Sequence, residues 1–424
     1  MNLLVLFIFV LLGLVVGFFY LFGKNKFSPV SLLISLWLVA IGISQLRLSP
    51  YELPFSFQFW LVLIGFLLIF YFSSLESSKW WDKIKEKKEN YYTSDNFVFI
   101  ILFLMTLACL ASNIYIYLKF GTLPILSSEP DKLRFIINKQ VFGVWEYLAL
   151  LPRIFIPISF FIYLQNKKLK PINKNLLIAN IIVGFLILFL YAARSNVVFA
   201  VLLCYFSYLI LNIKTANAKK VIIASLVAGL VVLFVAVSVP AFRHYVTYRK
   251  DYLSDIDYNP FTYLANLSGI HLPAWLSWSL PLYLIPSFNL QALMRSLNFF
   301  NSNNFFYGLY DLSVFNPLIK IFHVSNISAN MNWEAMFLPW WVTATFLFSY
   351  QADFGLLGIL LAAILWGVGF SGIYVWAKKR PAFLPVMLLS YFSFVSIMSI
   401  YTNYLMRPEF YMDMALLIFL GFFL

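Results

Sequence analysis

Apolar runs of the length a helix needs to cross a bilayer, about 20 residues, follow one another along the chain with short polar breaks between them. They are continuous, without the period-two alternation that marks half-buried strands, so the pattern predicts membrane-spanning helices. Eleven can be placed, at residues 2–22, 29–46, 54–73, 97–118, 145–165, 176–193, 195–213, 221–240, 354–376, 382–400 and 408–424. No basic stretch precedes the first run and no small-residue cleavage site follows it, which favours a span over a signal peptide. One interval breaks the pattern. Pro240 to Asp353 cannot simply be threaded through a bilayer, and it holds all three histidines, His244, His271 and His323. Within it, Leu267 to Phe288 is apolar but interrupted by Pro273, Pro281 and Pro286, and reads as a re-entrant or interfacial segment. The expected organisation is a single transmembrane domain, 1–424, with a loop region at 241–353.

Composition agrees with this class. Hydrophobic residues make up 62% of the chain and charged residues 11%, and the mean hydropathy is +0.86, values typical of all-α polytopic membrane proteins. A net charge of +13 could suggest nucleic acid, but the positive residues alternate between loops and form no single basic face. Cys109 and Cys204 both lie inside apolar runs, where burial is the ordinary expectation and no redox compartment can be read.

The loops set the orientation. Seventeen of the 30 basic residues fall in loops one, three, five, seven and nine, from Lys24 and Lys26 through Lys378, Lys379 and Arg380. By the positive-inside rule those loops face the cytoplasm, so the N-terminus and the long interval face outward and the C-terminus inward. The third loop, from Ser74 with Trp80 and Trp81, reads as a cytoplasmic interfacial helix. Lysine dominates the cytoplasmic loops, whereas eight of nine arginines lie in outward loops or in a span: Arg47, Arg134, Arg153, Arg194, Arg243, Arg249, Arg295 and Arg407. A lysine point charge is enough to fix topology; the arginine fork grips phosphate or carboxylate through two parallel bonds. The same arginines could instead pair with Glu52, Glu129, Asp131, Asp251 or Glu409 at the interface. Arg153 is the sharpest case, because a cation within a span costs about 2.5–3.5 kcal/mol and must face protein, water or an anion. Arg194 sits in the short turn Ala192-Ala193-Arg194-Ser195-Asn196, the outward hinge of a helical hairpin.

Four landmarks in order carry a resemblance. They are the turn Gly121-Thr122-Leu123-Pro124-Ile125-Leu126-Ser127 with Arg134 after it, the Ala193-Arg194-Ser195 hairpin, the long loop before the last spans, and Thr345-Phe346 leading to Asp353-Phe354-Gly355 and Gly358. Together they resemble the Wzy-type oligosaccharide repeat unit polymerases, which act in O-antigen and capsule polysaccharide biosynthesis in the bacterial cytoplasmic (inner) membrane. The resemblance implies a GT-C-like helical core similar to that of O-antigen ligases. It also implies outward arginines that bind diphosphate, and transfer of a glycan from an undecaprenyl diphosphate-linked oligosaccharide donor to a lipid-linked acceptor. A chain-length regulator and a flippase would be its partners, with no nucleic acid and no cofactor.

In such a transfer the site must stabilise negative charge on the leaving diphosphate and remove a proton from the acceptor hydroxyl. Arg194, Arg243 and Arg249 are the first candidates for the diphosphate, with Arg153 and Arg134 behind them. His323, Asp353, Glu334 and His244 are the candidate bases by position. Asp353 equally suits a cap of the ninth helix, and His244 plain surface contact. No His, Cys and carboxylate group has the spacing of metal ligands. The rival readings are an O-antigen ligase, and a lipid-linked oligosaccharide flippase or other transporter.

Overall fold

The computed structural model describes residues 3–23, 25–83, 96–127, 133, 136–137, 143–165, 170–191, 194–213, 217–248, 265–299, 305 and 343–423. Among them every regular element is helical. The helices are α1 (Leu3–Phe22), α2 (Pro29–Ser44), α3 (Phe57–Trp81), α4 (Asn96–Phe120), α5 (Gly143–Leu150), α6 (Pro152–Gln165) and α7 (Pro171–Leu190), then α8 (Arg194–Leu211), α9 (Ala218–Tyr248), α10 (Leu280–Phe299), α11 (Leu347–Lys379), α12 (Phe383–Met398) and α13 (Pro408–Gly421). Four of them, α2, α6, α7 and α13, open on proline, whose fixed φ suits the first helical turn and whose missing N–H would find no partner there. α3 is instead capped by Ser56, whose hydroxyl accepts the Phe59 amide at 3.1 Å.

Each of the eleven predicted segments contains a helix. Among the described residues, six stretches are long and apolar enough to cross a membrane: Leu3–Phe22, Phe57–Trp81, Phe97–Phe120, Tyr147–Gln165, Pro171–Leu190 and Leu347–Lys379. Pro29–Ser44, Ser195–Leu211 and Phe383–Met398 are apolar but shorter. The chain is thus an α-helical membrane protein.

Several boundaries differ from the sequence expectation. The third helix does not end near residue 73; it continues to Trp81, so the tryptophan pair closes a long helix and does not open a separate one. Ser77, expected in the loop, lies in this helix and faces α11, its Oγ donating to the Val368 carbonyl at 3.3 Å, one turn after Ser73, whose Oγ donates to the Ile69 carbonyl at 2.5 Å. The fifth span is broken at Leu151, between α5 and α6. The eighth runs on to Tyr248, eight residues past its expected end. In the long interval a 3-10 stretch at Ala274–Ser279 leads into the continuous helix α10, which carries Pro286 inside it.

The chain divides into two compact units. The first comprises Met1–Lys87, Phe261–Lys379 and Tyr391–Met414, and the second Lys88–Pro260, Arg380–Ser390 and Ala415–Leu424. In the first, α1 and α2 approach closely because both present small residues. A Cβ on Gly13 would lie 2.7 Å from the Val39 side chain, one on Gly42 would lie 2.7 Å from Val10, and Ser35 Oγ donates to the Gly13 carbonyl at 2.7 Å. The core of this unit is aromatic, with Trp37, Phe66, Phe70, Phe346, Trp366 and Phe370 in edge and tilted contacts. In the second unit α6 packs against α7 and α8, and α8 against α9.

Candidate functional site

In the second unit, Arg153 follows the break at Leu151. Pro152 cannot continue a helix from α5, and the Leu151 carbonyl instead accepts the amides of Ile154 at 2.9 Å and Phe155 at 3.1 Å, starting α6 afresh. Arg153 is therefore on the first turn of a helix, and it is 2% exposed. Its guanidinium lies over the Tyr147 ring, 5.3 Å from the centroid, and Nη1 points to Asn196 Oδ1 at 3.5 Å. Asn196 is on the first turn of α8, the helix that Arg194 opens. One side-chain contact, Arg153 to Asn196, thereby joins the starts of α6 and α8. Unpaired amides and the dipole make a helix N-terminus positive, so a buried guanidinium beside one creates a place where a dianion is stabilised from two directions.

In the first unit, a polar stripe recurs at every fourth residue of α10: Tyr283, Ser287, Gln291 and Arg295. It grips the loop between α2 and α3. The Leu48 amide donates to Tyr283 Oη at 2.7 Å, the Leu53 amide to Gln291 Oε1 at 3.2 Å, Gln291 Nε2 to the Leu53 carbonyl at 2.7 Å, and Arg295 Nη2 to the Tyr51 carbonyl at 3.1 Å. Glu52 completes the tie, because one carboxylate oxygen accepts both the Ser49 amide, at 3.0 Å, and the Tyr283 hydroxyl. Burial pushes the Glu52 carboxyl above its ordinary value, against the lowering effects of Tyr283, Ser49, Ser287 and the nearby Arg47. Arg47 itself is held at φ 44°, in the left-handed region, a conformation that costs a non-glycine residue about 1–2 kcal/mol.

The third feature is Asp353. It lies in the first half of α11, which begins at Leu347. Two residues later Gly355 adopts φ 61° and ψ −143°, breaking α11 in two, with the Phe305 ring filling the space where a Cβ would stand. Asp353 is completely buried just before that break. The first half of α11 is framed by polar contacts: the Phe346 amide to the Ser399 carbonyl at 2.8 Å, Asn403 Nδ2 to Ser349 Oγ at 2.7 Å, and Thr343 Oγ1 to Asn289 Oδ1 at 2.8 Å. Among the described residues, Gln351 Oε1 and Thr345 Oγ1 are buried without a hydrogen-bond partner. A third buried acid in this unit, after Glu52 and Asp353, is Asp413 of α13, which accepts the Tyr391 hydroxyl at 3.0 Å.

The other sequence candidates fall as follows. Arg243 and His244, expected in a basic tract beyond the eighth span, lie within α9, on its last turns. His323, Glu334, Arg134 and Arg249 lie outside the described residues. Arg153, Arg194, Arg243 and His244 belong to the second unit and Asp353 to the first. Among the described residues no three His, Cys, Asp or Glu side chains gather as metal ligands would. Sequence reasoning passed over Glu52, Tyr283, Gln291 and Arg295 as a group, although the fourfold spacing of polar residues in an apolar segment was there to be found. The chain matches no protein-family model, no curated protein and no solved structure.

Proposed function

We propose that the protein is a metal-independent glycosyltransferase that polymerises lipid diphosphate-linked oligosaccharide repeat units at the outer face of a bacterial cytoplasmic membrane. The observation that supports it is Arg153, a buried arginine whose guanidinium reaches the first turn of α8 beside the start set by Arg194. An oligosaccharide carried on a polyprenyl diphosphate brings two phosphates to the membrane surface, and a fork of donors set against a helix start suits them. In the reaction the acceptor hydroxyl attacks the anomeric carbon, the bond from that carbon to the diphosphate oxygen breaks, and the hydroxyl proton passes to a base. Arginines stabilise the charge that grows on the departing diphosphate. Arg194, Arg243 and Arg249 complete the cationic set, and His244, which belongs to the same unit, is the candidate to take the proton.

The test is the length of polymer in cells. Arg194→Ala and Arg243→Ala should abolish polymer while membrane insertion is retained, and full-length polymer from both variants would defeat the assignment. Reporter fusions that put Arg194 in the cytosol would end the reading outright.

A second reading, a lipid-linked oligosaccharide flippase, is favoured by α11. A helix broken at Gly355 beside a fully buried aspartate is the kind of feature transporters build their sites from. The two separate in a deletion strain: single units capping the acceptor mark a lost polymerase, and units trapped on the cytoplasmic face mark a lost flippase.

A further inference from the structure

From Arg47 to Pro54 the loop between α2 and α3 buries only two side chains, Ser49 and Glu52. Ser49 Oγ donates to the Ser268 carbonyl at 2.6 Å, and Glu52 is turned to Tyr283 of α10. The two oxygens of its carboxyl are not alike. Oε2 accepts the Ser49 amide at 3.0 Å and the Tyr283 hydroxyl, whereas Oε1 is buried and, among the described residues, has no hydrogen-bond partner. Ser287, one turn after Tyr283, stands close enough to act on the carboxyl, and its Oγ is also buried without a hydrogen bond. Tyr283 itself packs in an apolar cluster with Ala265, Ile270, Leu280, Leu284 and Phe288. The other charged or titratable groups on these elements are Arg47, Tyr51 and His271, all exposed, and Arg295, bonded to the Tyr51 carbonyl; α2 and the first turns of α3 carry none. A full negative charge on Oε1 would meet neither a donor nor water. One proton there would satisfy both orphaned oxygens by donating to Ser287.

We propose that Glu52 is a proton-binding site that latches this loop: a proton on Oε1, donated to Ser287 Oγ, keeps the carboxyl seated on Tyr283, and its loss to an alkaline medium releases Leu48 to Leu53. Without the proton, Oε1 has to turn to water or to the exposed Arg47, whose charge already acts on this acid. Either movement draws Oε2 away from the Tyr283 hydroxyl and the Ser49 amide. Arg47 is held at φ 44°, so the loop also has backbone strain to relieve when the latch opens. Nothing in this latch depends on the polymerase reading above.

The test uses the full chain in phosphatidylcholine nanodiscs, as wild type and as Glu52→Gln, whose amide can donate to Ser287 where the proton did but cannot titrate. At neutral pH the infrared difference between the two should contain the carbonyl band of a protonated carboxylic acid, present in wild type alone. Hydrogen exchange at the Leu48 and Ser49 amides, corrected for the intrinsic effect of pH, gives the state of the latch. Wild type should lose protection at least about tenfold from neutral to alkaline pH, while Glu52→Gln stays protected throughout. A difference spectrum without the acid band overturns the proposal, and so does the same loss of protection in both proteins. If the glutamine variant does not fold, Glu52→Met replaces it; having neither proton nor donor, it should exchange fast at every pH alike, and protection that still falls with rising pH in this variant overturns the proposal.

Discussion

The Tyr283 hydroxyl donates to the Glu52 carboxylate while accepting the Leu48 amide at 2.7 Å, so one phenol satisfies an acid and a backbone group of the same loop. The two residues are 231 positions apart, and the contact joins the loop after α2 to the helix of the long interval. Tyr283→Phe removes both bonds and leaves a buried carboxyl and an amide short of partners. The expected loss is about 1–3 kcal/mol, read as a lower melting temperature in detergent or nanodiscs. A melting point equal to wild type would mean that the tie carries no stability.

The same acid sets a pH dependence. Because burial raises the folded-state value of Glu52 above 4.5, the folded chain holds this proton more tightly than the unfolded chain. The stability it contributes is full below the unfolded value and is lost as pH rises through the folded one. Glu52→Gln should remove that portion of the fall, so the difference in melting temperature between variant and wild type grows in the variant's favour from acid toward neutral pH. A constant difference across the series would contradict the assignment.

Arg153 separates stability from function. A cation at membrane depth costs about 2.5–3.5 kcal/mol before its partners offset it, and an apolar side chain of similar length avoids that cost. Arg153→Met should therefore melt no more than about 1 kcal/mol below wild type, or above it, yet make no polymer. Arg153→Lys should also fail to make polymer, since it keeps the charge and loses the fork. Normal polymer from the methionine variant would show that the buried guanidinium serves packing alone.

At Gly355 of α11 backbone angle and lack of space act together. An added Cβ meets strain at φ 61° and stands 2.7 Å from the Phe305 ring, so Gly355→Ala should destabilise by at least about 2 kcal/mol. Gly229→Ala, where a Cβ would meet nothing within 4 Å and the backbone is helical, should be neutral or slightly stabilising. Equal melting temperatures for the two would argue that the break in α11 is not fixed by Gly355.

That the apolar segments are helical was legible because hydrocarbon leaves the backbone no other partner than its own helix. Boundaries were less so. Ser77 reads as a loop residue until it is seen to face α11 from within α3, and Pro286 reads as a breaker although α10 carries it within one helix. The charged residues divide in the same way. Sequence alone determined that this is a helical membrane chain, that its lysines and arginines are sorted between loops, and that Arg153 had to sit against something polar, because each of these follows from the solvent the chain is written for. Only the tertiary structure decided that Asn196 and Tyr147 are what Arg153 meets, that Asp353 is sealed before a broken helix, and that Glu52 and Tyr283 share a proton donor and acceptor. Those pairings depend on which helices pack together, and no local period in the chain encodes that.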